Sequence, residues 1–205
     1  MMTTSDTDAR VLDDLLRSDP TPDLDRLHHA LVDRAARSDL LDISYRTVDS
    51  PIGSLLLAAT PAGLVRVAFD LEGHDQVLAR LAAEVSPRIL RAPARLDDTA
   101  RQLDEYFAGE RRAFDVTVDL QLAHGFRRTV LDHLRDIAYG TTASYSAVAA
   151  ASGSPAAVRA VGSACAHNPV PVVVPCHRVV RRDGSIGQYL GGTEAKRALL
   201  DLEAA

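Results

Sequence analysis

The spacing of apolar and polar positions changes period along the chain, and each change predicts a change of architecture. Residues 43–48, 55–59 and 64–69 are short runs rich in β-formers, separated by Ser50-Pro51-Ile52-Gly53 and Thr60-Pro61-Ala62-Gly63. Turn formers between such runs predict three strands in an antiparallel meander. Helical spacing follows in Val77, Leu81 and Val85, ended by Pro87, and again in Leu96, Leu103, Tyr106 and Phe107, ended near Gly109. Residues 114–120 read as another strand. Residues 43–120 carry no recognisable nucleophile, metal cluster or phosphate loop, which makes them an α+β scaffold domain. Ahead of it, residues 1–42 form an extension with two short helical patterns broken by Pro20 and Pro22. The second pattern aligns Leu24, Leu27, Leu31 and Ala35 on one side.

Residues 121–125 read as a linker, because residues 126–205 are helical with short connections. Phe126, Val130, Leu134 and Ile137 repeat at helical spacing up to Tyr139-Gly140, where the glycine is expected to cap the helix. A second helix begins at Ser144 and stops at Ser152-Gly153. A third is expected to use Ser154 as its N-cap and Pro155 as its first residue, and to run to about His167. Two helices joined by a tight turn form a helix-turn-helix pattern. The third helix is slim: Ala156, Ala157, Ala160, Gly162, Ser163 and Ala164 surround Arg159, the one large side chain of its first turns. A groove reader in the major groove carries several long polar side chains. A slim helix with one arginine suits a narrow groove instead, or else tight packing between helices.

Next comes the stretch Asn168-Pro169-Val170-Pro171-Val172-Val173-Val174-Pro175-Cys176-His177-Arg178-Val179. Three prolines remove backbone donors and fix φ, which excludes helix and argues against a central strand. A stiff, partly buried loop is expected, holding the Cys176 sulfur in place, with the charged pair after it where the chain leaves the interior.

Composition narrows the reading. The 205 residues are 46% apolar with a net charge of −5, but residues 1–120 hold 14 Lys/Arg against 22 Asp/Glu while residues 121–205 hold 9 against 6. The cysteine-bearing part is therefore the basic one, which permits a nucleic-acid face there. Only Cys165 and Cys176 are present, too few for a disulfide framework or a thiolate-rich zinc site. Acidic Asp6 and Asp8 precede the first apolar cluster and no run approaches a membrane span, so a cytoplasmic protein is expected. A cysteine beside a histidine in such a protein is a candidate nucleophile. Lys196 is the only lysine.

Tyr145, Arg159-Ala160-Val161-Gly162, Asn168-Pro169-Val170-Pro171, Pro175-Cys176-His177-Arg178-Val179, Gly187-x-Tyr189-x-Gly191-Gly192 and Lys196 with Leu199-Leu200-x-x-Glu203 together resemble the O6-alkylguanine-DNA alkyltransferases, also called methylated-DNA–protein-cysteine methyltransferases. The likeness spans residues 43–203 and leaves out 1–42. It implies an α/β N-terminal domain of ribonuclease-H-like build with an antiparallel sheet, and a winged-helix-like helical C-terminal domain.

The resemblance also implies a chemistry. Cys176 takes an alkyl group from O6 of guanine, and in the family from O4 of thymine, and is not regenerated. A thiolate is the best side chain for displacement at carbon, and its neighbours must favour it. His177 would receive the thiol proton through a water and Glu203 would orient the ring. Tyr145 would protonate the leaving base, and Asn168 would brace the turn before the cysteine. Arg159 would fill the space of a nucleotide turned out of the stack, with Ala157, Ala160 and Gly162 allowing close minor-groove approach. Tyr189, Val179, Pro171 and Gly187 would line the base pocket. Cofactor and metal are both expected to be none. The partner is double-stranded DNA containing O6-alkylguanine, bound by a monomer, with cooperativity along DNA open. Gln188, Leu190 and Arg127 depart from the usual pattern, and Cys165 reads as a small apolar residue. Two other classes, a methylation-dependent DNA-binding sensor and a cysteine hydrolase, fit less well: residues 1–42 hold no second acceptor cysteine, and Cys176 does not open a helix.

Overall fold

The computed structural model describes residues 23–205. The helical pattern expected before Pro20 lies outside the described residues. Helix α1 (Leu24–Arg37) belongs to a separate compact unit from Leu40–Ala205. Asp23 caps it by accepting from the Arg26 amide at 3.0 Å, and Asp25 near its start with Arg34 and Arg37 near its end suit the helix dipole. Leu24, Leu27 and Leu31 are exposed.

Within Leu40–Ala205 the predicted meander is present as β1 (Ile43–Val48), β2 (Leu55–Thr60) and β3 (Gly63–Phe69), each pair antiparallel. The turn before β3 demands glycine: Gly63 has φ +140°, and a Cβ there would lie 2.4 Å from the Thr117 carbonyl oxygen. Helix α2 (His74–Glu84) then carries the chain from the β3 edge to the opposite edge, where β4 (Ile89–Arg91) pairs parallel with β1. The sheet is therefore mixed, in the order β3-β2-β1-β4, and not wholly antiparallel as expected. A crossover helix allows parallel pairing, and a three-residue strand is too short to register as a periodic run.

Residues 114–120 are not a strand. They touch the sheet at a single parallel bridge, Leu64 with Val118. The Asp115 backbone is met instead by the Gln102 side chain, which accepts from its amide at 2.8 Å and donates to its carbonyl at 3.1 Å. A side chain of helix α3 (Asp97–Phe107) thus satisfies groups that a ladder would otherwise satisfy.

Both faces of the sheet are covered, which explains why Leu55, Leu56, Leu57 and Ala58 are all fully buried. Leu56 and Ala58 pack with Ile43, Val65, Val77 and Leu81 beneath α2. Leu55 and Leu57 face the larger core, which includes Leu103 and Tyr106 of α3 and continues through Val130, Leu131, Val161 and Val170 to Cys176. One core therefore runs from the scaffold into the reactive loop.

Helix α4 (Phe126–Leu134) ends earlier than the spacing predicts, with Arg135 as its cap, and Ile137 follows in a turn bonded to Leu134. Strand β5 (Ala143–Ser144) pairs parallel with β6 (Val179–Val180). Between them stand α5 (Tyr145–Ala151), capped by Ser144, and α6 (Val158–Ala166). Ser154 and Pro155 do not open α6; residues 154–157 form a turn closed by the Ala157 amide on the Ser154 carbonyl at 2.8 Å, and Ala157 is the N-cap. Proline's fixed φ suits the second position of a turn as well as a first helical residue, so sequence alone does not separate the two. The last helix, α7, is Gly192–Ala204.

Candidate active site

The proline-rich loop is buried except at half-buried Val173, more deeply than expected. Asn168 and His177 have no exposed surface, Cys176 is 1% exposed and Arg178 7%. Asn168 organises the loop: its Oδ1 accepts from the Val170 amide at 3.0 Å, and its Nδ2 donates to the Val174 carbonyl at 2.8 Å and to the Cys176 sulfur at 3.1 Å. Val172 sits at φ +73°, a left-handed conformation costly for a β-branched residue and held here by the bonds around it. The scaffold clamps the same turn. The Val67 amide donates to the Pro169 carbonyl at 2.9 Å, and Arg66, paired with Glu72, donates to the Asn168 and Pro169 carbonyls at 3.4 and 3.3 Å.

The charged pair does not mark an exit from the interior; it faces a buried carboxylate. Glu203, on the last turn of α7, accepts from His177 Nε2 at 2.9 Å and from Tyr106 Oη at 2.6 Å. Arg178 grips both of its oxygens, Nε to Oε2 and Nη2 to Oε1, each at 2.9 Å. Burial alone would keep Glu203 neutral, but the hydrogen bonds from His177, Arg178 and Tyr106 hold its pKa down to about 2. Arg178 is therefore an electrostatic support. It takes up most of the carboxylate's capacity, while His177 receives orientation.

His177 is held neutral, because burial lowers its pKa more than Glu203 raises it. With Nε2–H donated to Glu203, the ring leaves Nδ1 as a basic nitrogen that meets no protein partner. Cys176 is also neutral at rest. Burial pushes its thiol up to about 11 against the opposing influence of the Asn168 hydrogen bond and Lys196. The neighbours favour the thiolate but burial outweighs them, so deprotonation accompanies reaction.

Around the sulfur, Tyr189 packs edge-on against Phe69 of β3 at 5.6 Å and against His177 at 6.4 Å between ring centroids. Tyr145, half-buried at the start of α5, lies against Gly187, where a Cβ would come within 2.5 Å of its hydroxyl oxygen. Gly187→Ala should consequently leave the melting temperature within about 2 °C, since a flexible ring end can move, while displacing the Tyr145 hydroxyl and slowing transfer by roughly tenfold; thermal melts beside single-turnover assays measure both. Pro171 and Val179 are buried. On α6, Arg159 and Ala160 are exposed and Ala157 and Gly162 half-exposed, while Val161, Ala164 and Cys165 form the buried side. Among the described residues no group of His, Cys, Asp and Glu is arranged to hold a metal ion, and no helix is long and apolar enough to cross a membrane.

Three participants, Tyr106, Arg66 and Glu72, were not visible in the sequence. Tyr106 reads as an ordinary core residue of a helix face, 97 positions from its partner. Arg66 and Glu72 carry no motif. Lys196, whose Nζ donates to the Val179 carbonyl at 2.6 Å, stood in the family pattern and is the sole lysine.

Residues 43–120 match the family described as "6-O-methylguanine DNA methyltransferase, ribonuclease-like domain", and residues 125–205 match "6-O-methylguanine DNA methyltransferase, DNA binding domain". The chain belongs to this methyltransferase family. The methylated-DNA–protein-cysteine methyltransferase of Mycobacterium tuberculosis is 42% identical over 161 residues, covering 78% of this chain and 92% of that protein. The constitutive enzyme of Bacillus subtilis is 37% identical over 163 residues, covering 78% and 94%. Solved structures of 6-O-methylguanine DNA methyltransferases share the two-domain fold. The M. tuberculosis O6-methylguanine methyltransferase superposes with a TM-score of 0.70 at 39% identity, covering 79% of this chain and 93% of that one. M. tuberculosis OGT in complex with DNA gives 0.69 at 40%, covering 78% and 92%.

Proposed function

We propose that this methyltransferase repairs DNA by direct transfer of the alkyl group from O6-alkylguanine to Cys176, once per protein molecule. It is a methylated-DNA–protein-cysteine methyltransferase, and DNA is its partner. The observation that carries the choice of acceptor is the buried row of Asn168, Cys176, His177 and Glu203, in which a sulfur is held beside a neutral histidine backed by an ionised carboxylate.

The step is a displacement at carbon. The S–C bond forms as the C–O6 bond breaks; the thiol proton passes through a water to Nδ1 of His177, and the departing guanine takes a proton from Tyr145 on its ring. A neutral imidazole is the correct acceptor, and Glu203 stabilises the imidazolium as it forms. Tyrosine with a pKa raised by burial gives up its proton only as the base becomes a strong acceptor. The thioether product cannot be displaced by water, so the protein is spent.

The target base must leave the stack to reach a sulfur this deep. Exposed Arg159, among the small residues Ala157, Ala160 and Gly162, would enter the space left behind from the minor groove. Tyr189, Val179, Pro171 and Gly187 would hold the base. A monomer acting in the cytoplasm, with residues 121–125 joining scaffold to acceptor domain and O4-alkylthymine as a secondary substrate, completes the reading. One equivalent of duplex carrying O6-methylguanine should add one methyl mass to the peptide containing Cys176 and then stop; multiple turnover, or methyl on Cys165, would refute it. Arg159→Ala should slow repair in duplex by about tenfold or more while leaving reaction with free O6-methylguanine base nearly unchanged.

A further inference from the structure

Arg66 stands in β3 directly after a β-bulge. Ala58 pairs with Arg66 and Ala59 with Leu64, so Val65 is the extra residue of the strand. The bulge puts two successive side chains on the α2 face of the sheet: Val65 in the core beneath α2, and Arg66 beside it, lining a cavity with Val77, Arg80 and Leu81. An arginine thus occupies a face whose other β3 residues, Val65 and Ala68, are apolar core.

Its surroundings account for its place there. Nη2 pairs with Oε2 of Glu72, in the turn Asp70–Glu72 that follows β3, and Oε1 of the same carboxylate accepts from the Phe69 amide at 3.0 Å. Both side chains are largely buried, so the pair is shielded from water. With one edge of the guanidinium fixed in this way, Nη1 reaches the carbonyls of Asn168 and Pro169 at 3.4 and 3.3 Å. A planar fork holds several acceptors in a set geometry, which a flexible ammonium does not. Asn168 is the residue whose carboxamide donates to the Val174 carbonyl and to the Cys176 sulfur. The scaffold therefore grips the main chain of Asn168 while its side chain grips the sulfur.

We propose that Arg66, fixed by Glu72, is a positioning residue for alkyl transfer, which acts through Asn168 to set where the Cys176 sulfur stands. This rests on Cys176 being the acceptor. Displacement at carbon needs the sulfur in line with the bond that breaks, and a misplacement of about 1 Å costs up to about a hundredfold in rate. None of the hydrogen bonds of Arg66 goes to a residue assigned to the base or the groove, so its effect falls on the bound complex and not on binding.

Asn168 is the only asparagine of the chain, and selective 15N labelling of asparagine therefore gives one side-chain amide pair, a direct report on the group that touches the sulfur. In Arg66→Met the shifts of that pair should move and its hydrogen exchange should quicken. The saturating single-turnover rate from methylated duplex should fall about tenfold, with the half-saturating duplex concentration within about twofold of wild type. Glu72→Gln removes the anion that fixes Arg66; it should slow the rate by about threefold alone and add nothing in the Arg66→Met background. Arg66→Lys keeps the charge but cannot span both carbonyls, should lie between wild type and Arg66→Met, and carries the comparison if Arg66→Met does not fold. An Asn168 signal that stays in place, or a saturating rate that does, overturns the proposal and leaves Arg66 as a support of the fold alone. A loss confined to duplex affinity, or effects of Arg66→Met and Glu72→Gln that multiply, overturns it as well. If the wild-type chain gains no methyl on Cys176, the choice of acceptor fails; that result is read separately by mass, and the amide signal still decides whether Arg66 holds Asn168.

Discussion

Glu203→Ala should be the most damaging single substitution away from the sulfur, costing about 3–5 kcal/mol of stability and slowing transfer by roughly a hundredfold. Removing the carboxylate strands the Arg178 guanidinium in the interior, leaves the Tyr106 hydroxyl without its acceptor and frees the His177 ring. Urea unfolding and single-turnover kinetics measure the two losses. Glu203→Gln keeps an acceptor oxygen and should fall between wild type and alanine on both scales. The same carboxylate gives a pH signature. Its pKa is near 2 in the fold and ordinarily 4.5, so its contribution is fully present above pH 4.5 and is lost as pH falls toward 2. That amounts to roughly 3 kcal/mol. Stability curves of wild type and Glu203→Gln should converge over this window; parallel curves would show that the carboxylate is not ionised in the fold.

Cys176→Ser should abolish transfer and keep the structure. Asn168 Nδ2 can donate to a hydroxyl as it does to the sulfur, so the loop keeps its brace. A buried hydroxyl is far harder to ionise than the thiol it replaces and is a much weaker nucleophile toward carbon. No methyl mass should appear on the protein after prolonged incubation with O6-methylguanine duplex, while affinity for that duplex by fluorescence anisotropy stays within about threefold of wild type. Methylation persisting in this variant would move the acceptor to Cys165 and undo the mechanism.

The parts of the site that were legible in the sequence are those adjacent in the chain. Asn168, Cys176 and His177 stand in one stretch whose prolines declare a rigid loop, and Glu203 was available through the family pattern. The three meander strands were legible because paired turn formers separate them. Strand β4 was not, since three residues carry no period, and residues 114–120 misled because an apolar run next to a sheet can be satisfied by a glutamine side chain as well as by a strand. Long-range partners left no trace. Nothing in the helical spacing of Tyr106 distinguishes a hydroxyl aimed at Glu203 from one aimed at solvent. The charged pair His177-Arg178 was expected where the chain leaves the core; the double grip of Arg178 on a buried carboxylate keeps it inside, against the usual exposure of arginine.

The bond from the Val67 amide to the Pro169 carbonyl has a meaning for how the molecule is put together. Pro169 lies between Asn168 and the cysteine, so an amide of the scaffold sheet sets the register of the loop that aims the sulfur. Phe69 on the same strand backs Tyr189. The region that carries the nucleophile is in this sense unfinished by itself, and the sheet that has no chemistry of its own is the mould in which the reactive loop is cast.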